Sequence, residues 1–262
     1  MSNPTPSVNE PSENPKTTKP RIKHPRLFYS ISALMLLIIM FLGFQQFYLH
    51  GKAYPGREIA PPIKTLIILH ATSMTAWMLL FLIQPVLITK GKRSTHMLLG
   101  KIGVGLALLI VITGFRLGIE STRIAPPDLL LWNLAPEQFM AIPTLSILTF
   151  GILVAIAIWQ RKKANIHRTT MLIATLITLP AAIDRIDAIK NLYSGTTWGE
   201  TFGPFGAVII IGLLLLIINS LLTRSINRCF AIGYIGLALL SFSIFQIAKT
   251  QTWEIIALFL LQ

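Results

Sequence analysis

Apolar residues fall into seven long blocks, over residues 27–49, 63–88, 97–120, 139–160, 168–190, 204–223 and 229–249. A helix crosses a bilayer with ~17–25 such residues. Within each block the apolar positions occur on every side, as expected of helices surrounded by lipid and other helices. Open strands are excluded, because hydrocarbon offers no partners for their backbone groups. The pattern predicts an all-α polytopic transmembrane helix bundle over 27–262. A shorter apolar stretch from Trp253 to Leu261 predicts a partial eighth helix, and an eight-span chain would have both termini on one side. Residues 1–26 are polar and hold six prolines, which predicts a disordered tail. The apolar run behind it is too long for a signal-peptide h-region and no A-x-A-like site follows, so the first span is expected to stay in the mature protein.

Charge orients this bundle. Only 13% of the 262 residues are charged, yet the formal net charge is +13. Lys16, Lys19, Arg21, Lys23 and Arg26 precede the first span; Lys90, Lys92, Arg93 and Lys101 join the second to the third; Arg161, Lys162, Lys163 and Arg168 join the fourth to the fifth; Arg224 and Arg228 join the sixth to the seventh. The other side has only Lys52, Arg57, Lys64, Arg123, Lys190 and Lys249. Basic loops stay in the cytoplasm. The N-terminus is therefore expected there, the C-terminus outside, in the inner (cytoplasmic) membrane. The basic residues face anionic lipid rather than nucleic acid, since none clusters on a soluble domain. Tyr54, Trp132, Tyr193 and Trp198 fall in the outer loops, as interfacial aromatics do. The single cysteine, Cys229, excludes an intramolecular disulfide and any multi-cysteine metal site. A retinal Schiff base needs a lysine deep in the last helix, and Lys249 sits at its end.

Ionisable residues inside a bilayer are costly, so each marks a candidate site. One layer, toward the outer side, holds His70, Arg116, Glu120, Asp184, Arg185 and Asp187. His70 lies about seven residues, or ~10 Å, from the outer end of its span. These groups predict a polar pocket for a proton, a small ligand or a quinone head group. The bland alternative is an Arg–Asp bridge between helices, or an Arg116–Glu120 pair within one. On the second span His70, Trp77 and Gln84 recur every seven residues and share a face that should point inward. His167 and Arg185 are five helical turns apart and are expected to share a face too. A second layer holds His96 and His167 at the cytoplasmic ends of their helices. Two imidazoles on facing helices are candidate axial ligands for a b-type haem, the one metal centre this sequence offers. Gly114-Phe-Arg-Leu-Gly118 is a G-x-x-x-G match, permitting close approach within the bundle or across a homodimer. No hydrolase, zinc-protease or phosphate-loop motif occurs.

The run His70…Trp77…Gln84…Lys92-Arg93-Ser-Thr-His96-Met-Leu-Leu-Gly100-Lys101, followed by His167-Arg168 and Asp184-Arg185, resembles a family of bacterial multi-helix membrane proteins filed as domain of unknown function 2306. The likeness covers spans two to five. Where that family often has His-Arg at the first corner, Met97 follows His96 here. The resemblance implies a bacterial integral membrane protein and supplies no reaction. Three functions stay open: binding or sensing of a small ligand or proton in the pocket, electron relay between haem and quinone, and a structural or assembly role.

Overall fold

The computed structural model describes residues 24–262, with side chains from Leu27 onward. The expected disordered tail lies, up to residue 23, outside the described residues. In chain order the helices are α1 (His24–Gly43), α2 (Gln45–His50), α3 (Pro61–Thr89), α4 (Arg93–Arg123), α5 (Pro136–Phe139), α6 (Ala141–Trp159), α7 (Ala164–Leu176), α8 (Pro180–Ile183), α9 (Asp187–Lys190), α10 (Thr197–Phe202), α11 (Gly206–Thr223), α12 (Arg228–Ala248) and α13 (Gln251–Leu261). A 3₁₀ turn, Gly203–Phe205, joins α10 to α11. The described residues contain no strands, only isolated bridges at Ala53–Arg57 and Leu131–Leu134.

Among the described residues six units are long and apolar enough to cross a membrane: α3, α4, Pro136–Trp159, Ala164–Ile183, Thr197–Thr223 and α12. In α1 the apolar stretch is shorter, Leu27–Gly43. Helix ends follow local chemistry. Pro61 and Pro62 open α3, where a missing N–H costs nothing. Asn227 caps α12 through the Phe230 amide, and Thr250 caps α13 through the Trp253 amide. Short loops reverse the chain between successive long helices, giving the bundle two ends. Lys90, Lys92, Arg93, Arg161, Lys162, Lys163 and Arg224 are exposed together at what we call the inner end. There the Asn165 and Asn227 amides exchange hydrogen bonds of 2.9 and 3.1 Å, tying α7 to α12.

α7 is the central helix. In Ala164–Ile183, 61% of the most apolar window is buried, against 17% in α3. Leu172, Leu176, Ile177, Ile183, Phe150, Phe205, Phe230 and Phe245 form the solvent-free core. The fifth expected span, 168–190, is broken. Pro180 cannot donate to Leu176, and the preceding turn tightens: Thr178 N bonds Thr175 O and Leu179 N bonds Leu176 O. Helix resumes only through Ile183, turns at Asp184–Ile186, and leaves α9 as a separate turn. His167 and Arg185 therefore do not share one continuous helical face.

The expected last helix forms as α13 and stays at the outer end. Trp253 Nε1 donates to Glu137 O at 3.0 Å, and the Arg123 guanidinium to Leu260 O at 3.5 Å. Glu137 precedes α6 and Arg123 ends α4, so both halves of α13, touching at points about 10 Å apart along its axis, meet the same end of the bundle. Trp253 and Ala257 face inward while Ile255, Leu258 and Phe259 are exposed, as in a helix lying along an interface.

The glycine motif serves the interior. A Cβ on Gly114 would fall 2.7 Å from His70 Cε1 and 2.8 Å from Ile147 Cγ1; one on Gly118 would fall 2.6 Å from Thr144 Cγ2. α3 and α6 occupy that face of α4, so this motif does not form a dimer surface.

Candidate functional site

The seven-residue spacing on α3 places three polar side chains against three neighbours. His70 Nδ1 lies 3.0 Å from Thr113 Oγ1 on α4. The Thr113 hydroxyl donates to Leu109 O at 2.7 Å, so its oxygen accepts from Nδ1–H and His70 Nε2 keeps its lone pair; partner geometry sets this tautomer. Seven residues on, the buried Trp77 indole donates to Thr175 Oγ1 on α7 at 3.3 Å and meets Phe150 of α6 edge-on, 4.9 Å between centroids. At the inner end Gln84 Nε2 donates to His96 O at 3.3 Å. Tyr48 and Thr75 add a hydroxyl pair at 2.7 Å between α2 and α3.

Two polar atoms at this inner end are buried with no partner among the described residues: Gln84 Oε1 and His96 Nδ1. His167 lies near the start of α7, as His96 does near the start of α4. His167 Nδ1 is 2.8 Å from Ala157 O. A carbonyl only accepts, so Nδ1 carries the proton and Nε2 presents a lone pair. Ligating histidines are commonly held this way. Among the described residues no three His, Cys, Asp or Glu side chains gather into a metal-binding group.

The remaining expected site residues are dispersed. Arg116 is exposed on α4 and makes no hydrogen bond or ion pair among the described residues. Glu120 pairs with Arg123 at 3.1 Å instead. No Arg116–Asp184 bridge forms, because the chain leaves the helix at Ile183 and carries Asp184 to the outer end. There Asp184 accepts from Trp132 Nε1 at 2.8 Å and faces Lys190 Nζ at 3.8 Å. Arg185 bonds Ala181 O and lies 4.9 Å above the Phe44 ring. The exposed Asp187 accepts from Tyr54 Oη at 2.5 Å. That hydrogen bond, reinforced by partial burial and the carboxylate's charge, holds the Tyr54 phenol above the usual tyrosine range. Burial pushes the neighbouring Tyr193 phenol up, with Asp184 adding to it.

Sequence reasoning missed the threonines that answer α3, Thr113 and Thr175, and Thr75 of α3, which answers Tyr48. A hydroxyl can turn back onto its own helix, so composition alone does not mark an interhelical threonine. It also missed Trp132 as an organiser. Leu131 and Leu134 exchange two backbone hydrogen bonds of 3.0 Å around Trp132 (φ 55°) and Asn133 (φ 58°), a two-residue type I′ turn. Tyr193 stacks on the Trp132 indole at 5.4 Å and 25°. The chain matches no known protein-family model, no curated protein and no solved structure.

Proposed function

We propose that the protein is a seven-span protein of the bacterial inner membrane, N-terminus in the cytoplasm, whose activity is binding or sensing a small polar ligand or proton in the seam along α3. The lysine and arginine bias supports the orientation, and the resemblance of His70…Lys101 to the domain-of-unknown-function-2306 family supports the bacterial setting. The seam reading rests on the orphaned pair at its inner end. An unpartnered buried polar atom costs about 1–3 kcal/mol. Two of them, Gln84 Oε1 and His96 Nδ1, on residues already joined by the Gln84 Nε2–His96 O hydrogen bond, are what a water, proton or ligand would satisfy. The test is replacement of the host gene by Gln84→Leu, His96→Leu and His70→Ala alleles. Each should insert at wild-type level and reproduce the phenotype of the deletion. Wild-type behaviour of all three would overturn the reading.

His167 favours a second reading, a b-type haem relaying electrons to or from quinone with His96 and His167 as axial ligands. The Ala157 carbonyl leaves His167 Nε2 free to coordinate. Protein purified with ample haem should then show a Soret band that His167→Ala removes, and a colourless preparation would dispose of it.

A further inference from the structure

A cavity of about 420 Å³ opens at the outer end, the opposite end of the bundle from the histidine pair. Small-molecule sites span ~300–1,000 Å³. Its walls come from separate elements: Trp132 and Asn133 from the I′ turn, Gln138 from α5, Glu200 from α10, and Phe245 and Lys249 from the end of α12. None of these residues belongs to the α3 seam, so nothing here rests on the reading above.

The walls carry opposite charges with no direct ion pair between them. Lys249 and Glu200 form no side-chain ion pair, with each other or with any other described residue. Lys249 is nevertheless fixed in place. Its ammonium donates to the Glu200 backbone carbonyl at 2.9 Å and lies 4.1 Å above the Phe245 ring. One of its three N–H donors is used by that carbonyl. Gln246, three residues earlier, holds the same stretch of chain by donating to Thr201 O at 3.0 Å. Gln138 Oε1 accepts from the Ala135 amide at 3.1 Å, which leaves its NH₂ as a donor. The apolar wall is equally preset: Trp132 is held by Asp184 and Tyr193, at the cost of two consecutive non-glycine residues in the left-handed region. Such backbone strain clusters at binding sites.

A purely anionic ligand would leave Glu200 unanswered, and a purely cationic one Lys249. We propose that this cavity binds a zwitterion of free-amino-acid size, its carboxylate on Lys249 and Gln138, its ammonium on Glu200, and its side chain against the Trp132 indole. The two charged side chains are exposed at the cavity rim, so each ion pair contributes selectivity rather than great affinity.

The test uses the full-length protein in detergent and calorimetric titration with free L-amino acids, beginning with L-leucine and L-phenylalanine. For each binder, the α-amide (no carboxylate) and the α-hydroxy acid (no ammonium) serve as matched probes. Both should bind about threefold more weakly than the parent, the loss expected for one exposed ion pair. Lys249→Gln should abolish discrimination against the amide, and Glu200→Gln that against the hydroxy acid. Both residues are exposed, and unchanged monodispersity and helix content would show the variants folded. The proposal is overturned if no amino acid binds, if the hydroxy acid or amide binds as well as its parent, or if neither folded variant changes the discrimination.

Discussion

Adding one methyl group at Gly114 tests whether α3, α4 and α6 are packed as described. The alanine Cβ would stand 2.7 Å from His70 Cε1 and 2.8 Å from Ile147 Cγ1. Ordinary carbon contacts begin near ~3.5 Å, so two neighbours must each yield by about 0.7 Å. Overpacking of this size costs about 1–3 kcal/mol. If His70 swings away, its hydrogen bond to Thr113 goes too, for about 1 kcal/mol more. Alanine's better helix propensity returns about 1 kcal/mol. The net expectation for Gly114→Ala is a loss of about 1–3 kcal/mol. At Gly105, on the same helix, an added Cβ would meet nothing within 4 Å, so Gly105→Ala should be neutral or stabilising by up to about 1 kcal/mol. The measurement is reversible unfolding in mixed micelles for both variants, with Gly114→Ala repeated in a His70→Ala background. Truncating His70 should make the Gly114 substitution less costly. Equal stability of the two alanine variants, or a Gly114 cost that His70→Ala leaves unchanged, would refute this helix packing.

Three further outcomes are expected. Trp132→Phe keeps the stacking surface but loses the hydrogen bond to Asp184, which should cost about 1.5 kcal/mol and lower the unfolding midpoint by about 3 °C or more; an unchanged midpoint would count against the turn as an organiser. Tyr54 can donate to Asp187 only while protonated, and its folded-state pKa lies above the unfolded value near ~10. That contact is therefore fully present below the unfolded pKa and lost as pH rises through the folded one: limited proteolysis within residues 51–60 should quicken at alkaline pH in the wild type, while Tyr54→Phe should be cut at one rate throughout. On the proposed seven-span topology Lys92 and Asn133 lie on opposite sides, so in intact cells of a Cys229→Ser background an impermeant maleimide should label Asn133→Cys and spare Lys92→Cys; labelling of both would redraw the topology.

Hydropathy and charge alone determined the helical class, the approximate place of every long helix and which loops are basic, because lipid leaves the backbone no other way to satisfy its hydrogen bonds. The inward face of His70, Trp77 and Gln84 was equally legible, since a helix fixes which residues share a side whatever surrounds it. What those side chains meet was not. Thr113 and Thr175 lie 43 and 98 residues from their partners in the chain, and only packing selects them. Depth along the sequence suggested that Arg116 and Asp184 would meet; the chain left the helix at Ile183 and put Asp184 against Trp132 instead. The outer cavity had no sequence signature, because its walls come from a turn and the ends of three helices that become neighbours only once the bundle has closed. Periodicity governs what one helix does by itself, and pairing between helices is a property of the folded assembly.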